Sequence, residues 1–138
     1  MKDGKYLLWG HKDTNASLII FDPSTKTFSK FETDPALPQT TDQYIFDVLV
    51  DSKDNAAILL TLKLGSDPQI LSVYAVDLLS GKLVKMDGSY TLPNGYYLDS
   101  YSADILLNDN RVMITGGYSN RSNVNFSPVS KTLFIEFE

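Results

Sequence analysis

The sequence predicts an all-β chain made of three tandem four-stranded antiparallel repeats. Three observations predict it. No segment sustains the 3.6-residue period of an amphipathic helix. Short apolar runs, rich in β-branched and aromatic residues, alternate with turn chemistry. The same strand–turn order returns roughly every 50 residues, a spacing that marks repeat architectures.

The elements follow in order. Lys5–Gly10 opens the chain with the continuously apolar run Tyr6-Leu7-Leu8-Trp9. Ser17–Asp22 and Thr27–Glu32 follow, joined through Pro23-Ser24-Thr25-Lys26. The second repeat is Tyr44–Val50, Asn55–Leu62, Ile70–Asp77 and Lys82–Met86, with turns at Asp51–Asn55 and Leu79-Ser80-Gly81-Lys82. The third is Leu98–Leu107, Arg111–Gly116 and Lys131–Phe137, with Asn108-Asp109-Asn110 as its first turn. Asp, Asn, Gly and Pro are the residues that tight turns require. Thr33–Gln43, Asp87–Tyr97 and Tyr118–Ser130, rich in Pro, Asn, Ser and Gly, read as longer loops.

The repeats can be laid on one another residue by residue. Tyr6, Ala57 and Val112 are equivalent, 51 and 55 residues apart. In the next strand Asp22, Asp77 and Glu138 are equivalent, 55 and 61 residues apart, the extra length falling in Tyr118–Ser130. Leu7-Leu8-Trp9 and Ile58-Leu59-Leu60 do not alternate with polar residues. Such runs suit strands covered on both faces, whereas a two-layer sandwich leaves one face wet and forces alternation. Stacked blades of a β-propeller cover their middle strands in this way. The chain is therefore expected to be a single propeller domain, residues 1–138, with blades spanning 1–35, 43–88 and 96–138.

Tyr101 through Gly117 resembles a kelch blade of the galactose-oxidase type: an inner strand, a turn, and a strand ending in Gly116-Gly117. Phe21-Asp22-Pro23 through Phe28 resembles the later half of such a blade. The first copy has Gly10-His11 in place of the Gly-Gly pair, and the second has no glycine before Gly65. Phe28 and Leu83 stand where the family carries a Trp. The resemblance implies a propeller, but the copper site of galactose oxidase does not transfer. The chain has no cysteine, and His11 is its single histidine.

With strands named a to d from inner to outer, the copies read b-c-d, a-b-c-d and a-b-c. Propellers typically need four to eight blades to close. An arc of three exposes two blade faces and unpaired strand edges, both of which invite association. Either further blades of a longer chain or self-association of this chain is expected to complete the ring.

The formal net charge of −5 argues against nucleic acid or an anionic membrane as partner, since both need a basic footprint. Without cysteine there is no thiolate nucleophile and no Cys-based metal site. Asp51, Asp54 and Asn55 lack the spacing of a calcium loop and read as turn residues. Asp22 and Asp77 read as turn caps rather than a catalytic carboxylate pair. His11 reads as structural, and Trp9 as core rather than a sugar-stacking ring. No cofactor or metal is expected.

Up-and-down strands send the b–c and d–a connections to one end of a propeller. These are the long ones here: His11–Ala16, Thr33–Gln43, Lys63–Gln69, Asp87–Tyr97 and Tyr118–Ser130. Long loops on a rigid scaffold are where binding lives. The last holds Tyr118, Asn120, Arg121, Asn123, Asn125 and Phe126, and its neighbour holds Tyr90, Asn94, Tyr96 and Tyr97. Aromatic and Arg anchors among Asn and Ser suit a protein or glycan ligand. The binding residues expected are Tyr118, Asn120, Arg121, Phe126, Tyr96 and Tyr97, in a non-enzymatic binding or scaffold module. The alternative is part of a propeller enzyme, of glycosidase, lyase or oxidoreductase type, with a site completed by other blades.

Overall fold

The computed structural model describes residues 1, 3–12, 15–38, 43–51, 56–63, 65–98, 103–107, 111–119, 127–128 and 131–136. Among them the chain is all-β, and every strand pairing is antiparallel apart from one isolated bridge. β1 (Tyr6–Lys12), β2 (Asn15–Asp22) and β3 (Thr27–Phe31) form the first sheet, in sequence order. β4 (Gln43–Asp51), β5 (Ala56–Lys63), β6 (Ile70–Asp77) and β7 (Leu83–Thr91) form the second, again in order. β9 (Ala103–Leu107), β10 (Arg111–Thr115) and β13 (Thr132–Glu136) form the third. Between them in sequence, β8 (Tyr96–Tyr97), β11 (Tyr118–Ser119) and β12 (Ser127–Pro128) pair into a fourth, small sheet.

The ten strands expected from the sequence all form, and they group three, four and three as their spacing implies. The sheets are open: none closes on itself. Three connections differ from expectation. His11–Ala16 is not a loop, because β1 and β2 stay paired through His11↔Ala16 and Lys12↔Asn15. Backbone ladder bonds need no apolar side chain, so the strands outrun the apolar run that announced them. Likewise Asp87–Tyr97 and Tyr118–Ser130 carry strand structure in β7, β8, β11 and β12. Two-residue strands are too short to leave any period in a sequence.

The packing follows from β5. Its residues Ala57–Leu62 are all buried. Successive strand side chains point to opposite faces. Ala57 and Leu59, with Val76 and Leu83 beside them, join one core with Ala16 and Leu18 of the first sheet. Ile58, Leu60 and Leu62, with Leu71 and Val73, join another core with Val112, Ile114 and Ile135 of the third. The second sheet is thus covered on both faces, which accounts for the missing alternation in Ile58-Leu59-Leu60.

Leu7-Leu8-Trp9 has the same pattern and a different fate. Leu7 packs toward the second sheet, but Leu8 is 42% exposed. Trp9 is 36% exposed, so its expected place in the core is corrected. β1 is the edge strand of a sheet with a neighbour on one face alone.

The turns confirm the residue-level equivalence of the first two repeats. Asp22 Oδ1 accepts the backbone N–H groups of Ser24 (2.9 Å) and Thr25 (3.4 Å). Asp77 Oδ1 accepts those of Leu79 (2.7 Å) and Ser80 (3.2 Å). Four residues after each Asp the chain turns left-handed, at Lys26 (φ 56°) and Gly81 (φ 76°). At Gly81 space adds to the requirement. Asp34 N donates to Gly81 O (2.9 Å) and Leu83 N to Asp34 O (2.8 Å), docking the segment after β3 on this turn. A Cβ on Gly81 would lie 2.6 Å from the carbonyl oxygen of Glu32.

Equivalent positions should therefore respond in opposite directions. Gly81→Ala is expected to cost about 2 kcal/mol or more, combining left-handed strain with a backbone clash. Lys26→Gly is expected to be neutral or to stabilise by up to about 1 kcal/mol, as strain relief outweighs the added chain entropy. Urea unfolding of both variants checks the pair, and equal effects would contradict the equivalence.

Candidate functional site

Two of the long connections meet. β7 ends at Thr91, and Leu92 N donates to the backbone carbonyl of Gln69 (2.9 Å). The chain then turns through the exposed tip Pro93-Asn94-Gly95, closed by Tyr96 N to Pro93 O (3.0 Å). After β8, Leu98 N donates to Gln69 Oε1 (2.9 Å). Gln69 is 5% exposed, so one buried residue fastens both ends of this segment. A polar residue just before a strand gives no sequence signal for such a role.

β11 lies in the middle of the small sheet. Tyr118 pairs with Tyr97 on one side and Pro128 on the other; Ser119 pairs with Tyr96 and Ser127. Three of the six expected binding residues are thereby brought together: Tyr96, Tyr97 and Tyr118. Asn120, Arg121 and Phe126, like Asn123 and Asn125, lie outside the described residues.

Tyr96 and Tyr97 face inward, 2% and 4% exposed, and present almost no ring surface to solvent. Leu92, Tyr96 and Leu98 belong to the core between the second and third sheets. The Tyr96 hydroxyl donates to Gly116 O (2.5 Å), and Lys131 Nζ stands 5.8 Å from the ring centre. Burial pushes the Tyr96 phenol up. Tyr90 also bridges sheets: its hydroxyl donates to the Glu136 carbonyl, and burial, then the Glu136 charge, raise its pKa.

Gly116 and Gly117 have φ of 93° and 94°, and Gly116 N donates to Lys131 O (3.0 Å). A Cβ on Gly117 would lie 2.6 Å from Tyr97 O and 3.1 Å from the Tyr96 ring. The Gly-Gly pair is thus where β10 leaves its sheet and approaches β8 too closely for a side chain.

The remaining candidates resolve as follows. Asp22 and Asp77 act as turn caps. For Asp22 the Ser24 hydroxyl (2.6 Å) is the largest cause of a lowered pKa; for Asp77 it is the Leu79 N–H. His11 sits in β1 opposite Ala16. Asp54 and Asn55 lie outside the described residues. Among the described residues, no three His, Cys, Asp or Glu side chains gather. A recess of about 100 Å³ lies at Ala16, Ser17, Lys30, Phe31, Glu32 and Leu37, small beside the roughly 300–1,000 Å³ of ligand pockets. No protein-family model and no curated protein matches the chain.

Two outcomes are expected. Gln69→Leu leaves the buried Leu98 N–H without its acceptor, at a cost of about 1–3 kcal/mol. Amide exchange should quicken at Leu98 and stay slow at Leu92, which uses the Gln69 backbone; equal acceleration at both would contradict this. In an NMR titration, Asp22 and Asp77 should protonate below the ordinary aspartate range. Depressed folded pKa values mean that their stabilisation is present above that range and is lost as pH falls through the folded values. Ser24→Ala should raise the Asp22 value alone.

Proposed function

We propose that the stacked sheets are consecutive β-propeller blades similar to kelch blades, and that the chain is a non-enzymatic binding or scaffold module. Two findings support the blade reading. The Asp turns fall at the same register in two sheets, and the middle sheet is covered on both faces. The observation that carries the binding reading is the convergence of the two long connections in the small sheet. Buried Tyr96, Tyr97 and Gln69 form a firm platform there, and the chain between Ser119 and Ser127 leaves from it. Rigid support under a segment containing Asn120, Arg121 and Phe126 suits recognition of a protein or glycan surface.

A glycan array and a pull-down with the purified chain test the reading. The triple variant Tyr118→Ala/Arg121→Ala/Phe126→Ala is expected to weaken an identified ligand at least about tenfold while its melting stays unchanged. Retained affinity in a folded triple variant would overturn this choice of surface. Turnover of a saccharide by the unmodified chain would overturn the non-enzymatic reading.

A further inference from the structure

The outer face of the first sheet carries a continuous apolar row. Tyr6, Phe21 and Phe28 are cross-strand neighbours. The Tyr6 and Phe21 ring centres are 6.3 Å apart, and Phe21 stacks on Phe28 at 4.7 Å. Tyr6 is 59% exposed and Phe28 67%. Leu8, on the same face, is paired with Ile19.

The same row exists in the second sheet and is buried there. Ala57, Val76 and Leu83 are cross-strand neighbours in the matching register, one residue before the turn Asp. They are 0%, 0% and 5% exposed, because the first sheet lies on them. Leu59, the counterpart of Leu8, is 0% exposed. The first sheet thus presents the face that, one repeat later, is covered by the preceding sheet.

The third sheet has the opposite vacancy. Val112, Ile114 and Ile135 face the second sheet, leaving Arg111, Met113 and Phe134 on the outer side. Phe134 is 57% exposed, with the Arg111 guanidinium 5.8 Å from its ring centre. In the second sheet the corresponding side, with Ile58 and Leu60, is covered by the following sheet. Among the described residues, no sheet covers the outer face of the first sheet or that of the third.

We infer that the outer face of the first sheet docks on the outer face of the third sheet of a second copy of this chain, head to tail. The contact continues an interface that the molecule already makes twice, between the first and second sheets and between the second and third. It is heterologous, and a pair of copies closes through two such contacts when three sheets sweep half of a six-blade ring. The inference rests on the blade reading above and not on the loop surface.

Sedimentation velocity and light scattering of the whole chain test it. The expected mass is twice 15.4 kDa. Phe28→Lys and Phe134→Lys, both at exposed positions, should each raise the dissociation constant at least about 30-fold, the loss typical of a hot-spot aromatic. Phe28→Thr keeps a good strand former at the same place and should act in the same direction. A wild-type monomer at all concentrations would overturn the inference. So would a dimer that responds to Phe28→Lys and not to Phe134→Lys, which is the signature of like-on-like pairing. The loop triple variant should leave the mass unchanged, so retained ligand affinity in a chain that still pairs marks failure of the loop surface alone.

Discussion

β5 has no wet face, and the rest of the molecule is arranged around that constraint. Six consecutive residues, Ala57–Leu62, are buried; Ala57 and Leu59 enter one core and Ile58, Leu60 and Leu62 the other. A strand buried on both faces needs a sheet on each side, since a single layer would leave half of its apolar area in water. The first and third sheets meet that need. Each of them contributes one apolar face, and each keeps an outer face with aromatic side chains exposed.

The connections hold the three layers together with very few side chains. The segment after β3 docks on the β6–β7 turn through Asp34 and Gly81. Gln69 ties the segment after β7 at both of its ends. Tyr90 and Tyr96 reach across to Glu136 and Gly116, so the third sheet and its exit are held by tyrosine hydroxyls on backbone carbonyls. Buried donors and acceptors are costly when unpaired, and here each named group has a partner. The platform at β8, β11 and β12 is therefore firm, although its strands are two residues long.

Repetition in the chain is deeper than its apolar spacing. Asp22 and Asp77 make the same turn contacts, and Lys26 and Gly81 take the same left-handed conformation. Their neighbours on the strands, however, meet different surroundings. Val76 is fully buried, while Phe21 stacks with Phe28 on an outer face. Burial is unlike on equivalent backbone because, among the described residues, the second sheet is covered on both faces and the first on one.

The amino-acid sequence alone determined the ten main strands, their grouping, the Asp-capped turns and the absence of alternation in the middle strand. Each of these is local: turn chemistry and side-chain period act within a few residues. It also marked the two connections that meet at the candidate site. Tertiary structure decided the rest. Leu8 and Leu59 sit in similar apolar runs, yet one is exposed and one buried, because only β5 has a sheet on both sides. Trp9 shares the inner face with Leu7 and Leu18, yet it lies on the edge strand and stays 36% exposed. Tyr96 and Tyr97, in a segment that reads as loop, turned inward because Gln69 and Gly116-Gly117 bring distant backbone against them. Burial and long-range pairing depend on which layers lie on which, and no window of sequence contains that.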